Sequence, residues 1–228
     1  MTLLIGTVSR TAIVLTSDGQ SKRNPITGAG LDSDTFQKIF PLPSIPIALV
    51  HHGLNILGGN KVQDAVNIFS NQPGLDLPTL SVLDISMRVK TYFEGDAQIA
   101  VNDPTNEGVV GFWIAGFSPG KARPELYEIV WPDHPNPKLL GPLIIGGNGL
   151  ALISDYLSKP LNQFDPGQIP RYNVQFCSDY HLALYRIAER RQKARGEDIF
   201  GGAQYQLTIE KSGWRWLKEP ASQLDRKS

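Results

Sequence analysis

The chain has 228 residues, 41% of them apolar, enough to bury a core typical of one large domain. Its 22 basic residues are balanced by 22 acidic ones, a net charge of 0, which disfavours nucleic acid as a partner because a phosphate backbone is met by a basic excess. The single Cys177 excludes an internal disulfide and multi-cysteine zinc patterns and reads as a reducing, cytoplasmic setting. No apolar run approaches the roughly 18 residues of a membrane span, and Ser9 and Arg10 come too early for a signal peptide.

Thr2 to Val8 and Thr11 to Thr16 are β-branched, apolar runs around Ser9-Arg10, which predicts a hairpin. A Pro- and Gly-containing loop spans Asn24 to Gly30, and Phe36 to Phe40 with Ile47 to Val50 predict a second hairpin. Val62, Ala65, Val66 and Phe69 then recur at helical spacing, and a second helix is predicted from Pro78, with Val82, Ile85, Val89, Tyr92 and Phe93 on one face. Val109 to Phe117 and Leu126 to Trp131 predict a third hairpin. Leu143 to Ile145 leads through Gly146-Gly147-Asn148-Gly149 into a helix marked by Leu150, Ile153 and Leu157. A last helix carries Tyr180, Ala183, Leu184, Ile187 and Ala188, and Ala203 to Glu210 with Trp214 to Leu217 close as strands. Arg186, Arg190, Arg191, Lys193 and Arg195 suit that helix's C-terminal end, where cations offset the macrodipole. Strands and helices come in blocks, which disfavours a parallel doubly wound sheet and predicts an α+β fold of two antiparallel sheets stacked between helix layers. One domain over 1–217 is expected, with a loose tail over 218–228.

Thr2 is the first candidate for chemistry. Once residue 1 is removed, its hydroxyl can attack a carbonyl while its own α-amine, of reference pKa roughly 8, accepts the proton. Taken alone, these residues read better structurally: Thr2 starts a strand, Asp18 caps a turn and Lys38 sits exposed on a strand.

The succession Thr2-Leu3-Leu4-Ile5-Gly6, Val14-Leu15-Thr16-Ser17-Asp18-Gly19-Gln20 and Phe36-Gln37-Lys38-Ile39-Phe40 resembles the proteasome β-subunits, and Asp18-Gly19-Gln20 is most similar to the HslV-type peptidases. The resemblance implies a four-layer αββα N-terminal nucleophile (Ntn) hydrolase fold and a threonine-type endopeptidase. Thr2 would be the nucleophile, Asp18 the carboxylate behind it and Lys38 the cation beside it. A cation near the amine favours its neutral form, and a neighbouring carboxylate keeps the lysine charged. The oxyanion donor falls on His52 or Gly53, where the family prefers small residues. If a strand runs through them, His51 and His52 face opposite ways, which disfavours a joint metal role. Gly147 stands where a supporting serine is usual, and Phe200 where a second serine is usual; Glu197 or Asp198 would supply an acid.

No cofactor and no metal are implied. Stacked homo-oligomeric rings, peptide or unfolded protein as substrate, and an ATP-dependent unfoldase as a possible partner are implied. Ser21 to Asp34 is longer than the family's connection and is either part of an altered substrate cleft or a surface loop. Two other readings stand beside the peptidase: a noncatalytic ring or scaffold protein, and an Ntn amidase acting on a small nonpeptide amide.

Overall fold

The computed structural model describes residues 2–22, 31–72, 75–106, 108–147, 149–157 and 171–219. The whole of the predicted Asn24 to Gly30 loop, Asn148 and the tail from residue 220 lie outside the described residues.

The first hairpin joins β1 (Leu4–Val8) to β2 (Ala12–Asp18), and the Ser9 hydroxyl holds its turn by donating to the Ala12 carbonyl at 3.0 Å and accepting from the Ala12 amide at 3.1 Å. Two short strands follow, β3 (Ser21–Lys22) and β4 (Leu31–Ser33), paired with each other. The second hairpin is β5 (Ile39–Pro41) and β6 (Ile47–Gly53). Phe36 to Lys38, predicted within the strand, precede it. The Phe36 amide is engaged elsewhere, donating to the Gly19 carbonyl at 2.7 Å.

A small ribbon, β7 (Ile56–Leu57) and β8 (Asn60–Lys61), leads into α1 (Val62–Ser70). Pro78 falls in a 3₁₀ turn over Leu77–Thr79, and α2 (Val82–Asn102) starts later than predicted. The start is set by a reciprocal cap in which the Ser81 side chain accepts from the Asp84 amide and the Asp84 carboxylate accepts from the Ser81 amide.

β9 (Val110–Gly116) and β10 (Glu125–Trp131) form the third hairpin, followed by β11 (His134–Leu139), β12 (Leu143–Gly146) and α3 (Leu150–Leu157). α4 (Val174–Arg195) begins at Asn173, whose side chain accepts from the Phe176 amide, and β13 (Gln204–Glu210) pairs with β14 (Gly213–Lys218).

The strand order is β12-β1-β2-β13-β14 in one antiparallel sheet and β11-β10-β9-β6-β5 in the other. Alternation along each strand divides the apolar residues into three layers. Leu4, Ile13, Leu15, Ala48, Val50, Trp113, Leu126, Tyr205 and Leu207 pack between the sheets. Leu49, Phe112 and Ile114 face Val66, Phe69, Val89 and Phe93 of α1 and α2. Leu3 and Ile5 face Leu152, Ile153, Leu184 and Ala188 of α3 and α4. The result is the four-layer αββα sandwich, with each large apolar side chain contributing about 1.5–3 kcal/mol on burial.

Candidate active site

The site lies where the end of β2 passes the start of the chain. The hairpin register sets Leu4 opposite Ser17, so Asp18 comes to rest beside Leu3 and next to Thr2. The Asp18 amide donates to the Leu3 carbonyl at 3.2 Å, and the Leu3 amide donates to Asp18 Oδ1 at 2.9 Å. From the other sheet, just ahead of β5, the Lys38 ammonium donates to the same oxygen at 2.7 Å. The second oxygen, Oδ2, accepts from the Gln20 amide at 3.2 Å and the Gly201 amide at 3.5 Å.

Thr2, Asp18 and Lys38 are all buried, at 5%, 0% and 1% exposure. A lysine this far from water is destabilised as a cation: desolvation pulls the Lys38 pKa below its usual range, with Asp18 opposing through charge and hydrogen bond. The Lys38 carbonyl accepts from the His51 amide at 2.9 Å, which fixes its backbone against β6.

Gly147 follows β12 with φ of +78°, and a β-carbon there would stand 2.2 Å from the Thr2 carbonyl oxygen. That close approach is why glycine occupies the position where the resemblance expects a serine. The Gly149 amide donates to the Thr2 carbonyl at 3.2 Å, so the turn clasps the threonine backbone.

Glu197 and Asp198 are both exposed, in the turn after α4. Asp198 is the one tied to the site: its carboxylate accepts from the Gln20 side chain at 3.1 Å, and Gln20 donates its own amide to Asp18. The Glu197 amide donates instead to the Gln192 carbonyl at 2.9 Å, at the end of the helix. Phe200 is fully buried among α3, α4 and β1, so at this position the chain presents the next backbone amide, that of Gly201, to Asp18.

His51 and His52 close β6 and face opposite sides, as alternation requires: His51 lies 5.2 Å from the Phe112 ring on the helix side, His52 6.3 Å from Trp113 between the sheets. Both are neutral at ordinary pH. Desolvation, followed by the charge of His52, lowers His51 to about 3; desolvation, partly opposed by Glu128, lowers His52 to about 4. Gly53 ends the strand at φ +98°, where a side chain would collide with the Val109 carbonyl.

Three contributors lie outside the predicted set. Gln20 bridges Asp18 to Asp198, and Gly201 supplies an amide. Gln192 fixes the loop that carries Gly201, donating to the Phe200 carbonyl at 2.8 Å and accepting from the Ile199 and Phe200 amides at 3.1 and 3.2 Å. Gln20 was visible as part of the Asp18-Gly19-Gln20 motif; Gln192 sits on a polar helix with nothing local to mark it. Among the described residues, no group of three or more His, Cys, Asp or Glu is placed to hold a metal ion, and no helix is long and apolar enough to cross a membrane.

No family model and no curated protein matches the chain. Among solved structures it is similar to the Anbu (Gly-1) mutant from Hyphomicrobium sp. strain MC1, with a TM-score of 0.64 at 12% identity, covering 98% of this chain and 88% of that one. The fold is Ntn-hydrolase-like. At that identity the likeness to Anbu speaks for architecture alone. It also corrects the sequence resemblance, since the assignment to proteasome β-subunits of HslV type receives no specific support. The reason lies in the motif itself. Asp18 closes the β1–β2 edge, and a β-carbon on Gly19 would stand 2.7 Å from the Asp34 carbonyl and 2.8 Å from that of Ala203. Those residues meet local needs at this corner of the fold, glycine by close backbone approach and Asp18 by its bonds to Leu3 and Lys38.

Proposed function

We propose that the protein is an N-terminal threonine hydrolase that cleaves amide bonds, with peptides as substrate, once the Met1–Thr2 bond has been cut. Thr2 Oγ1 attacks the carbonyl carbon, the Thr2 amine takes the hydroxyl proton, and the leaving amine departs with a proton, leaving an ester on Thr2. Water then attacks the ester with the same amine as base, releasing the acid and regenerating the hydroxyl. Lys38 opposes protonation of the amine, and Asp18 orients Lys38. The backbone amide of His52 or Gly53 serves the oxyanion, with Gly147 in support, and Asp198 steadies Asp18 from behind through Gln20.

The observation that carries this reading is the buried Asp18 carboxylate, joined at one oxygen to the Leu3 amide beside Thr2 and to Lys38. Self-association into rings that enclose the site, with an ATP-dependent unfoldase as partner, belongs to the same proposal. It draws support from the exposed apolar residues Ile68, Leu83 and Met87 on α1 and α2.

The test is the intact mass of protein made without an N-terminal tag, before and after an epoxyketone, a reagent that needs both the hydroxyl and the free amine. Loss of residue 1 and a single adduct, absent in Thr2→Ala, is the expected result. A processed chain that takes no adduct would instead favour a noncatalytic scaffold. That reading is motivated by the burial of Thr2 and by Gly147 and Phe200 standing in place of hydroxyl residues.

A further inference from the structure

Gly146 ends β12 opposite Leu4 of β1, and its φ is not positive, so backbone conformation gives no reason for a glycine there. The reason lies across the gap between the sheets. A β-carbon on Gly146 would stand 2.6 Å from Cζ2 of the Trp113 indole, closer than side chains tolerate, whereas one on Gly6 would meet the same ring at an ordinary 3.5 Å. The indole therefore bears directly on the last residue of β12. The next residue, Gly147, backs onto the Thr2 carbonyl, and the Gly149 amide donates to that carbonyl at 3.2 Å.

The ring that presses on Gly146 is held in turn. Trp113 is 1% exposed, and its Nε1 donates at 2.9 Å to Oε1 of Glu128, the residue paired with it on β10. Oε2 of the same carboxylate meets His134 Nε2 of β11 at 2.9 Å, so both oxygens of Glu128 are tied. On β6 the His52 ring lies edge-on to the indole, centroids 6.3 Å apart. A buried indole N–H needs an acceptor, and the direction of that acceptor fixes how the ring lies in its slot. One sheet thus holds a rigid aromatic plate against the strand end of the other sheet that carries the Thr2 clasp.

We infer that Trp113 is a positioning residue of the site: pinned by Glu128, its indole sets the spacing of the sheets at Gly146 and, through it, the placement of the Gly147 to Gly149 turn on the Thr2 backbone. Its catalytic consequence rests on the Thr2 reading above. The hydroxyl and amine of Thr2 are aimed by a backbone braced from the opposite sheet, and rate falls steeply when reacting groups are displaced by about 1 Å.

Gly146→Ala puts a methyl group against Cζ2, and Trp113→Phe takes Cζ2 away. The epoxyketone labelling rate, scaled to the folded fraction, is expected to fall about tenfold in Gly146→Ala and about fivefold in Trp113→Phe, with the double variant no slower than Trp113→Phe. Glu128→Leu should slow labelling as Trp113→Phe does, and Glu128→Gln, which keeps an acceptor for Nε1, should restore most of that loss. Without reference to activity, hydrogen exchange of the Gly149 amide should be faster in Trp113→Phe and in Glu128→Leu while the amides of α2 exchange as before. Lower melting temperatures with the scaled rates unchanged, losses that multiply in the double variant, or a Gly149 amide that exchanges as in the unsubstituted protein would each overturn the inference. If the unsubstituted protein takes no label, the Thr2 reading fails, and the exchange of Gly149 still decides whether Trp113 holds the turn.

Discussion

Asp18 and Lys38 are each withdrawn from water and each compensates the other, a pairing in which the loss of one member costs more than the pair contributes. Asp18→Asn leaves the Lys38 ammonium buried without its counter-charge, and stability measured by urea unfolding is expected to drop by about 3–5 kcal/mol. The double variant Asp18→Asn, Lys38→Met should recover part of that loss, because the uncompensated charge goes too. A loss in the double variant equal to the sum of the two single losses would show that the pair is not coupled. The residue types of this pair were legible in the sequence, and so was their grouping by resemblance. Their burial was not: nothing local to Phe36-Gln37-Lys38 says that the lysine turns inward, because that is decided by a sheet edge some 20 residues away.

The two sheets and the helices that cover them read well from periodicity, since β1, β2, β6, β9, β10 and β13 are apolar runs and α1 and α2 show a clear helical stripe. The edges read poorly. β11 carries Pro135 and Pro137 and alternates little, which hides it from an apolar-run criterion; it is tolerated because it is an edge strand, where a missing amide need not break a ladder. The start of α4 was hidden for a different reason: its first turns, Val174 to Asp179, lack a continuous apolar stripe, and the Asn173 cap sets the boundary. That helix covers a polar patch on β2 and β13. Thr16 Oγ1 meets His181 Nδ1 at 2.8 Å, Gln206 donates to Thr16 at 3.0 Å, and Ser178 donates to Gln206 at 2.6 Å. Burial lowers the His181 pKa to about 3, so the folded chain holds it neutral while the unfolded chain protonates it near 6.5. The stability this histidine supports is therefore complete above about pH 6.5 and is lost as the pH falls towards 3, at up to about 1.4 kcal/mol per pH unit. His51 and His52 act in the same direction. Thermal melts from pH 7 to pH 4 should show this fall, and His181→Gln should flatten it by close to one histidine's share; an unchanged slope would mean that His181 is protonated in the folded state.

At the scale of the whole molecule, the outer face of α1 and α2 is unusual for a lone subunit. Ile68, Leu83 and Met87 are 55%, 42% and 45% exposed, and Met87 also lines a cleft of about 490 Å³ whose wall mixes Phe69, Leu75 and Tyr92 with Asp84 and Arg88. Apolar surface of this kind marks contact between proteins. Leu83→Glu with Met87→Glu is expected to reduce the mass seen by light scattering after size exclusion while the circular dichroism spectrum stays the same. An unsubstituted protein that already runs as a monomer would remove the enclosed-ring part of the proposal and leave the chemistry of Thr2 untouched.

Asp18 gathers its partners from four stretches of chain: Leu3, its own turn at Gln20, Lys38 across the sheets, and Gly201, which is 183 residues away. Leu3 and Gln20 meet Asp18 within the first hairpin and the turn that follows it, but Lys38 and Gly201 join only when both sheets have stacked and the last helix has delivered its loop. The constellation is thus assembled late, by contacts of long sequence separation that are slow to close. On the proposal that Thr2 is the nucleophile, a nascent or half-folded chain would carry the threonine without the environment that activates it, and the topology would act as a safety catch released only by completion of the fold.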